Sequence, residues 1–195
     1  MIPDNLPAGV NIVLPVAGVG TIADVNFRLD SLAGCDAVLG NTNASVTHSF
    51  LGDLAFTLTS PGGTTIAVIT NRGGGGNNYC TVGLNDEGGF PAASTIPIGG
   101  AVAGNFAPES LLSAFDGQNA NGNWTLNVAD TAGLDTGTLN RFSLIFNSGN
   151  ALPTAVTPVD LNKASDDVTS ENGVAVEKKE VGVLEQISNF FFGAA

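Results

Sequence analysis

His48 is the only histidine in a chain of 195 residues, so any Ser-His-Asp or Cys-His chemistry would have to run through it. It lies in Val46-Thr47-His48-Ser49-Phe50, inside or at the edge of a strand-like segment, and no Gly-x-Ser-x-Gly turn occurs anywhere in the sequence. His48 therefore reads as a structural residue, and no catalytic set is expected. A closed zinc site is excluded as well, because one histidine and two separated cysteines do not supply a tetrahedral ligand set. The carboxylates are better placed. Asp53, Asp86, Glu87, Asp116 and Asp130 sit in turn-like contexts, Leu-Gly-Asp-Leu, Leu-Asn-Asp-Glu-Gly-Gly, Phe-Asp-Gly-Gln-Asn and Val-Ala-Asp-Thr-Ala-Gly, with Asp135 close behind. Calcium takes about six to eight oxygen ligands from flexible loops of this kind. It is the cofactor the sequence admits, with those five side chains as candidate ligands. The competing reading is that aspartate next to glycine is an ordinary turn former that binds backbone amides, and no dense Asp-x-Asp-x-Asp-Gly loop is present.

The two cysteines, Cys35 and Cys80, both fall in Gly- and Asn-rich stretches expected to be loops. A disulfide between them and two free thiols remain open alternatives; metal ligation is disfavoured because no His or Cys neighbours either one. Charge narrows the partners. The chain carries a formal charge of -12 from only six Lys and Arg, and before residue 150 there is no lysine at all. Nucleic acid and anionic membrane surfaces both need a cationic face, so neither is an expected partner. No apolar run approaches the roughly 20 residues that span a bilayer, and membrane insertion is not expected.

The elements that hold these residues show period-2 alternation. Val25, Phe27 and Leu29 share a face, as do Leu54, Phe56 and Leu58, then Trp124, Leu126 and Val128, then Phe142, Leu144 and Phe146. Thr57, Thr59, Thr125, Asn127 and Ser143 occupy the opposite faces, the signature of half-buried antiparallel strands. With further strands near residues 10–16, 64–70, 81–84 and 104–106, the tally is about eight, which suits a jelly-roll-like antiparallel β-sandwich over 1–149. The run of four glycines at 73–76 carries the largest backbone entropy and cannot hold one conformation by its own propensities. Composition then changes. Residues 150–173 read as a flexible polar linker, and 174–195 as an apolar tail in which Val183, Leu184, Ile187, Phe190 and Phe191 share one helical face. Such a tail would dock on its own domain, on copies of itself, or on another protein.

Two blocks, Thr47-His48-Ser49-Phe50-Leu51-Gly52-Asp53-Leu54 running on through Ser60-Pro61-Gly62-Gly63-Thr64, and Gly122-Asn123-Trp124-Thr125-Leu126 answered by Gly137-Thr138-Leu139, resemble the P domain of the proprotein convertases. The resemblance implies a non-catalytic β-sandwich attached to secreted proteases or bacterial surface proteins, hence an extracellular or cell-surface location. It also implies that Ile2-Pro3-Asp4 open a mature domain, with Met1 either an added start or a cut from a longer precursor. Leu51 stands before Gly52-Asp53, so the Arg-Gly-Asp of several vertebrate convertases is absent. Between Asp30 and Ser45 the chain is longer than the hairpin of that pattern, and the extra residues form an insertion that carries Cys35.

Two functions follow from this. The first is an accessory module that packs against or stabilises an associated catalytic domain. The alternative is a structural subunit of a surface assembly that binds copies of itself through the tail. Carbohydrate binding is weaker, because Trp124 and Tyr79 are single residues of their kinds and Trp124 is expected in the core.

Overall fold

The computed structural model describes residues 1–147, 154–155 and 159–160. Ten strands carry most of it: β1 (Leu6–Val16), β2 (Asp24–Leu29), β3 (Val46–His48), β4 (Leu54–Thr59), β5 (Thr65–Thr70), β6 (Asn78–Leu84), β7 (Ala101–Phe106), β8 (Gly122–Asp130), β9 (Gly137–Leu139) and β10 (Arg141–Asn147). Two further pairs of residues, β11 (Thr154–Ala155) and β12 (Val159–Asp160), add to the edge of β10. Both lie within the stretch read as linker. The rest of that stretch, and the segment containing Val183, Leu184, Ile187, Phe190 and Phe191, fall outside the described residues. Helical structure among the described residues is confined to three 3-10 turns, at Leu51–Asp53, Ala93–Thr95 and Leu112–Phe115.

The strands form two sheets. One has the order β1-β8-β4-β5 and is antiparallel throughout. In the other, β6 pairs with β2 and β3 antiparallel and with β7 parallel, while β10 continues from β2 and β9 from β3. A strand has two edges, so β2 and β3 lie end to end along one edge of β6 and β7 takes the other. The β6–β7 pair departs from the all-antiparallel expectation, and residues 85–100 make the crossover that a parallel pair requires.

The expected alternation sets the core. Burial alternates residue by residue along β2 and β4, and along β8 from Trp124 to Val128. Register puts Trp124 opposite Leu14, and Leu126 opposite Leu58. Phe27, Leu54, Phe56, Leu58, Trp124, Leu126, Leu144 and Phe146 are all inaccessible to solvent or nearly so. Each such side chain contributes about 1.5–3 kcal/mol relative to an exposed one. Trp124 is the centrepiece: its ring lies edge-on to Phe115 at 4.9 Å and tilted to Phe146 at 5.5 Å, and its Nε1 donates to the Ala120 carbonyl at 2.9 Å. That last bond matters because a buried indole N–H left unpaired would offset part of the gain from burial.

The thiol question is settled in favour of a disulfide. Cys35 and Cys80 are bonded, with Cα atoms 5.8 Å apart. Cys80 does not lie in a loop as expected; it is buried within β6, because that strand already starts at Asn78, inside the Asn-rich stretch. The bond therefore ties the 31–44 insertion to a central strand.

Candidate functional site

The loops gather at two opposite ends of the sandwich, and each end collects a different chemistry. At the first end β3, β5 and β8 finish and β4, β6, β7 and β9 begin, which brings 49–53, 71–77, 96–100 and 131–136 together. The glycine run is held there by its neighbours. Gly76 and Gly74 accept from the Leu51 and Gly52 amides at 3.0 and 2.8 Å, and Gly73 accepts from the Gly99 amide at 3.0 Å. The conformation that local propensity cannot supply is thus imposed by hydrogen bonds from two adjoining loops. Glycine is required for proximity as well: a Cβ on Gly52 would stand 3.0 Å from the Gly74 Cα and 2.8 Å from the Phe50 ring.

His48 closes β3 at this end and is completely buried. Its Nε2 lies 3.1 Å from Asp130 Oδ2, and its Nδ1 lies 2.8 Å from the Phe50 carbonyl and 3.2 Å from the Phe50 amide. Asp130, equally buried at the end of β8, receives the Ala132 amide on Oδ1 at 3.2 Å. A histidine–carboxylate pair is half of a hydrolytic triad, but here neither ring nitrogen faces a space that substrate could enter. The pair instead fastens β3 of one sheet to β8 of the other. Above it lie Asp53, Asp135 and Asp4; desolvation first, and then repulsion from Asp130 and Asp135, raises the Asp53 carboxyl above the usual carboxylate range.

At the second end Asp24, opening β2, meets Asp86, Glu87 and Asp116. Burial is the first cause that raises Glu87 and Asp116, and repulsion from Asp24 and Asp86 adds to it in both. Asp86 Oδ2 accepts the Ser113 amide at 2.9 Å, while its Oδ1 is enclosed without a hydrogen bond. The five candidate calcium ligands are therefore divided, with Asp86, Glu87 and Asp116 at one end and Asp53 and Asp130 at the other. Asp24 joins the first group unforeseen, since it starts a strand and no turn signal marks it. Among the described residues no three His, Cys, Asp or Glu side chains are arranged to hold a metal ion. Beside this group an open cleft is lined by Pro61, Gly62, Thr64, Gln118, Asn119 and Asn121. Gln118 is spent inside it, accepting from Ser60 Oγ at 2.9 Å and donating to the Ala114 carbonyl at 2.8 Å. No aromatic ring lines the cleft, so the carbohydrate reading gains no platform.

The profile of the proprotein convertase P-domain family matches residues 41–146, a span that runs from the insertion before β3 to β10 and leaves β1 and β2, with Asp4 and Asp24, outside it. The chain belongs to the proprotein convertase P-domain family. The match begins inside the insertion and covers the Gly52-Asp53-Leu54 corner, the Ser60-to-Thr64 turn and the Trp124 strand, the segments that build the core of this P domain. The family is one of accessory domains, in keeping with a histidine sealed from solvent. No curated protein sequence matches the chain. Among solved structures it is similar to a chain in the crystal structure of the Aeromonas sobria serine protease in complex with the chaperone ORF2, at 18% identity and a TM-score of 0.35. That match covers 80% of this chain and 22% of the other, so the P domain spans about a fifth of the length of the chain it resembles. No helix among the described residues is long and apolar enough to cross a membrane.

Proposed function

We propose that this P domain is a non-catalytic accessory module of a secreted or surface protein, where it packs against and stabilises a protein partner such as an associated catalytic domain. The observation that carries the reading is the state of His48. The one side chain through which general-base chemistry could run is fully enclosed, with both ring nitrogens occupied by Asp130 and the Phe50 backbone. A general base must reach the proton it removes, and this one cannot. The covalent tie from Cys35 to Cys80 agrees with an oxidising compartment, where such bonds persist. Calcium is proposed only as an ion that would draw Asp24, Asp86, Glu87 and Asp116 closer together, since no three of these side chains are arranged to hold a metal as they stand, and it would relieve the repulsion that raises two of the four.

Native mass spectrometry across a wide range of protein concentration, run beside peptidase and esterase assays, tests the reading. A monomer at every concentration with no turnover is expected. An open series of oligomers would move the function to a structural subunit of a surface assembly, and turnover lost in His48→Ala would overturn the accessory role altogether.

A further inference from the structure

Large apolar side chains are displayed to solvent at the first end of the sandwich. Ile98 is 84% exposed and Leu134 97%, with Val38, Leu39 and Phe50 also open. The hydrogen bonds between loops place them together. Leu51 and Gly52 bond to Gly76 and Gly74, Gly99 bonds to Gly73, Ser49 bonds to Thr136, and the Asn78 side chain holds the Asp36 and Val38 carbonyls. The glycines form a floor beneath this display. The Phe50 ring lies over Gly52 and Gly75, and Ile98 lies over Gly74, where an added Cβ would be 3.0 Å from the isoleucine Cγ2. Leu134 holds a φ of 87°, in the left-handed region that a leucine adopts only at a cost and that glycine or asparagine would occupy freely. A strained backbone that presents Leu134 wholly to water, at the same end as a glycine floor that carries Phe50 and Ile98, is the arrangement of a contact surface rather than of a turn selected for stability.

Charge selects the occupant. Asp36 lies two residues before Val38, Asp135 follows Leu134 and acts with Asp4 on Asp53, and Arg72, the arginine of these loops, is held by Glu109 at 2.6 Å. A second copy of a chain with a formal charge of -12 would bring the same acids face to face with these. The segment from 174 to 195 carries two lysines against three glutamates, so it brings no net positive charge either. We propose that this end of the sandwich is a docking surface for a protein partner that presents apolar side chains flanked by lysine or arginine. This deepens the accessory reading, on which it rests, by naming the face used and the chemistry of what it holds. The apolar contact supplies the affinity and the acidic rim steers the approach and rejects like-charged surfaces.

The test uses the full chain and synthetic peptides that alternate leucine with arginine, leucine with glutamate, or serine with arginine, with binding followed by calorimetry at low and moderate salt. The leucine–arginine peptide is expected to bind, and its affinity to fall by about tenfold or more in I98S/L134N and in D53N/D135N. D86N/D116N, at the opposite end, should bind as the wild type does. Ile98 and Leu134 are exposed and Asn suits the left-handed backbone, so I98S/L134N keeps its melting temperature; F50S is the second apolar variant. Unchanged binding in I98S/L134N and F50S would overturn the proposal, as would equal binding of the leucine–glutamate or serine–arginine peptide. So would a dimer, or binding of a peptide of residues 183–195, that those substitutions abolish, since the surface would then belong to a second copy or to the chain's own tail. Hydrolytic turnover or an open oligomer series would defeat the accessory reading whatever these peptides do, so the two can fail separately.

Discussion

Replacing Cys35 and Cys80 together by serine should destabilise the domain chiefly by freeing its unfolded chain. The bond spans 45 residues of sequence, and closing a loop of that length removes about 4 kcal/mol of chain entropy from the unfolded state at 25 °C. The native side should change little. The Asn77 Nδ2 donates to the Ala37 carbonyl at 3.0 Å and the Asn78 Nδ2 donates to the Asp36 and Val38 carbonyls at 2.7 and 2.8 Å, so the insertion stays attached without the sulfurs. At about 2–4 °C per kcal/mol for a domain of this size, the melting temperature should fall by about 8–16 °C. Urea unfolding followed by Trp124 fluorescence is the assay, with wild type kept oxidised. The slope of free energy against urea should rise in the double variant, because the unlinked chain exposes more surface on unfolding. A loss below about 1 kcal/mol with an unchanged slope would refute the argument, for it would mean that the unfolded chain was already constrained without the bond.

Trp124→Ala should cost about 3–5 kcal/mol, as a large buried ring is lost and a cavity left beside Phe115 and Phe146; a water-exposed indole emission in the native wild type would contradict the strand register. His48→Ala should cost about 3–5 kcal/mol, because it leaves the Asp130 carboxylate buried with only the Ala132 amide for company, and a urea midpoint close to that of wild type would show the pair to be dispensable. Asp53, Glu87 and Asp116 hold their protons more tightly folded than unfolded. Their stabilising contribution is therefore present below the usual carboxylate range and lost as pH rises through their raised values, while Asp36, held low by Asn41 and the Val38 amide, acts in the opposite sense. Glu87→Gln should flatten the fall of the urea midpoint between mildly acid and neutral pH, and an unaltered profile would count against the raised value. Millimolar calcium should raise the melting temperature relative to chelator by mass action on the folded state, and Asp86→Asn should abolish that rise; superimposed melting curves would leave these carboxylates as turn residues.

Much of the sandwich was legible because a strand buried on one face must alternate. Val25-Phe27-Leu29 and Trp124-Leu126-Val128 announce both the element and its inner face. The short strands β3 and β9 carry no period, since three residues are too few to show one and Val46–His48 is buried on both sides; β3 showed only as a strand-like segment around His48, and β9 only through the resemblance of Gly137-Thr138-Leu139. The parallel course of β7 against β6 was hidden for another reason. Strand direction in a sheet depends on the route of a loop, and residues 85–100 carry no pattern that records the route.

Sequence by itself determined the period, the turn residues, the acidity and the single histidine, and through them the fold class and the expectation that no hydrolytic set would form. These are local or compositional properties, carried by each residue without reference to distant ones. Only the tertiary structure decided which side chains meet. It paired Cys35 with Cys80 and His48 with Asp130, which lie 82 positions apart. It also brought Asp24 to Asp86 and Asp116 and divided the candidate calcium ligands between opposite ends, and it laid Phe50 and Ile98 on a floor of glycines. Contacts of that range depend on how two sheets stack and where their loops turn, and that geometry is set by the whole core at once rather than by any segment read alone.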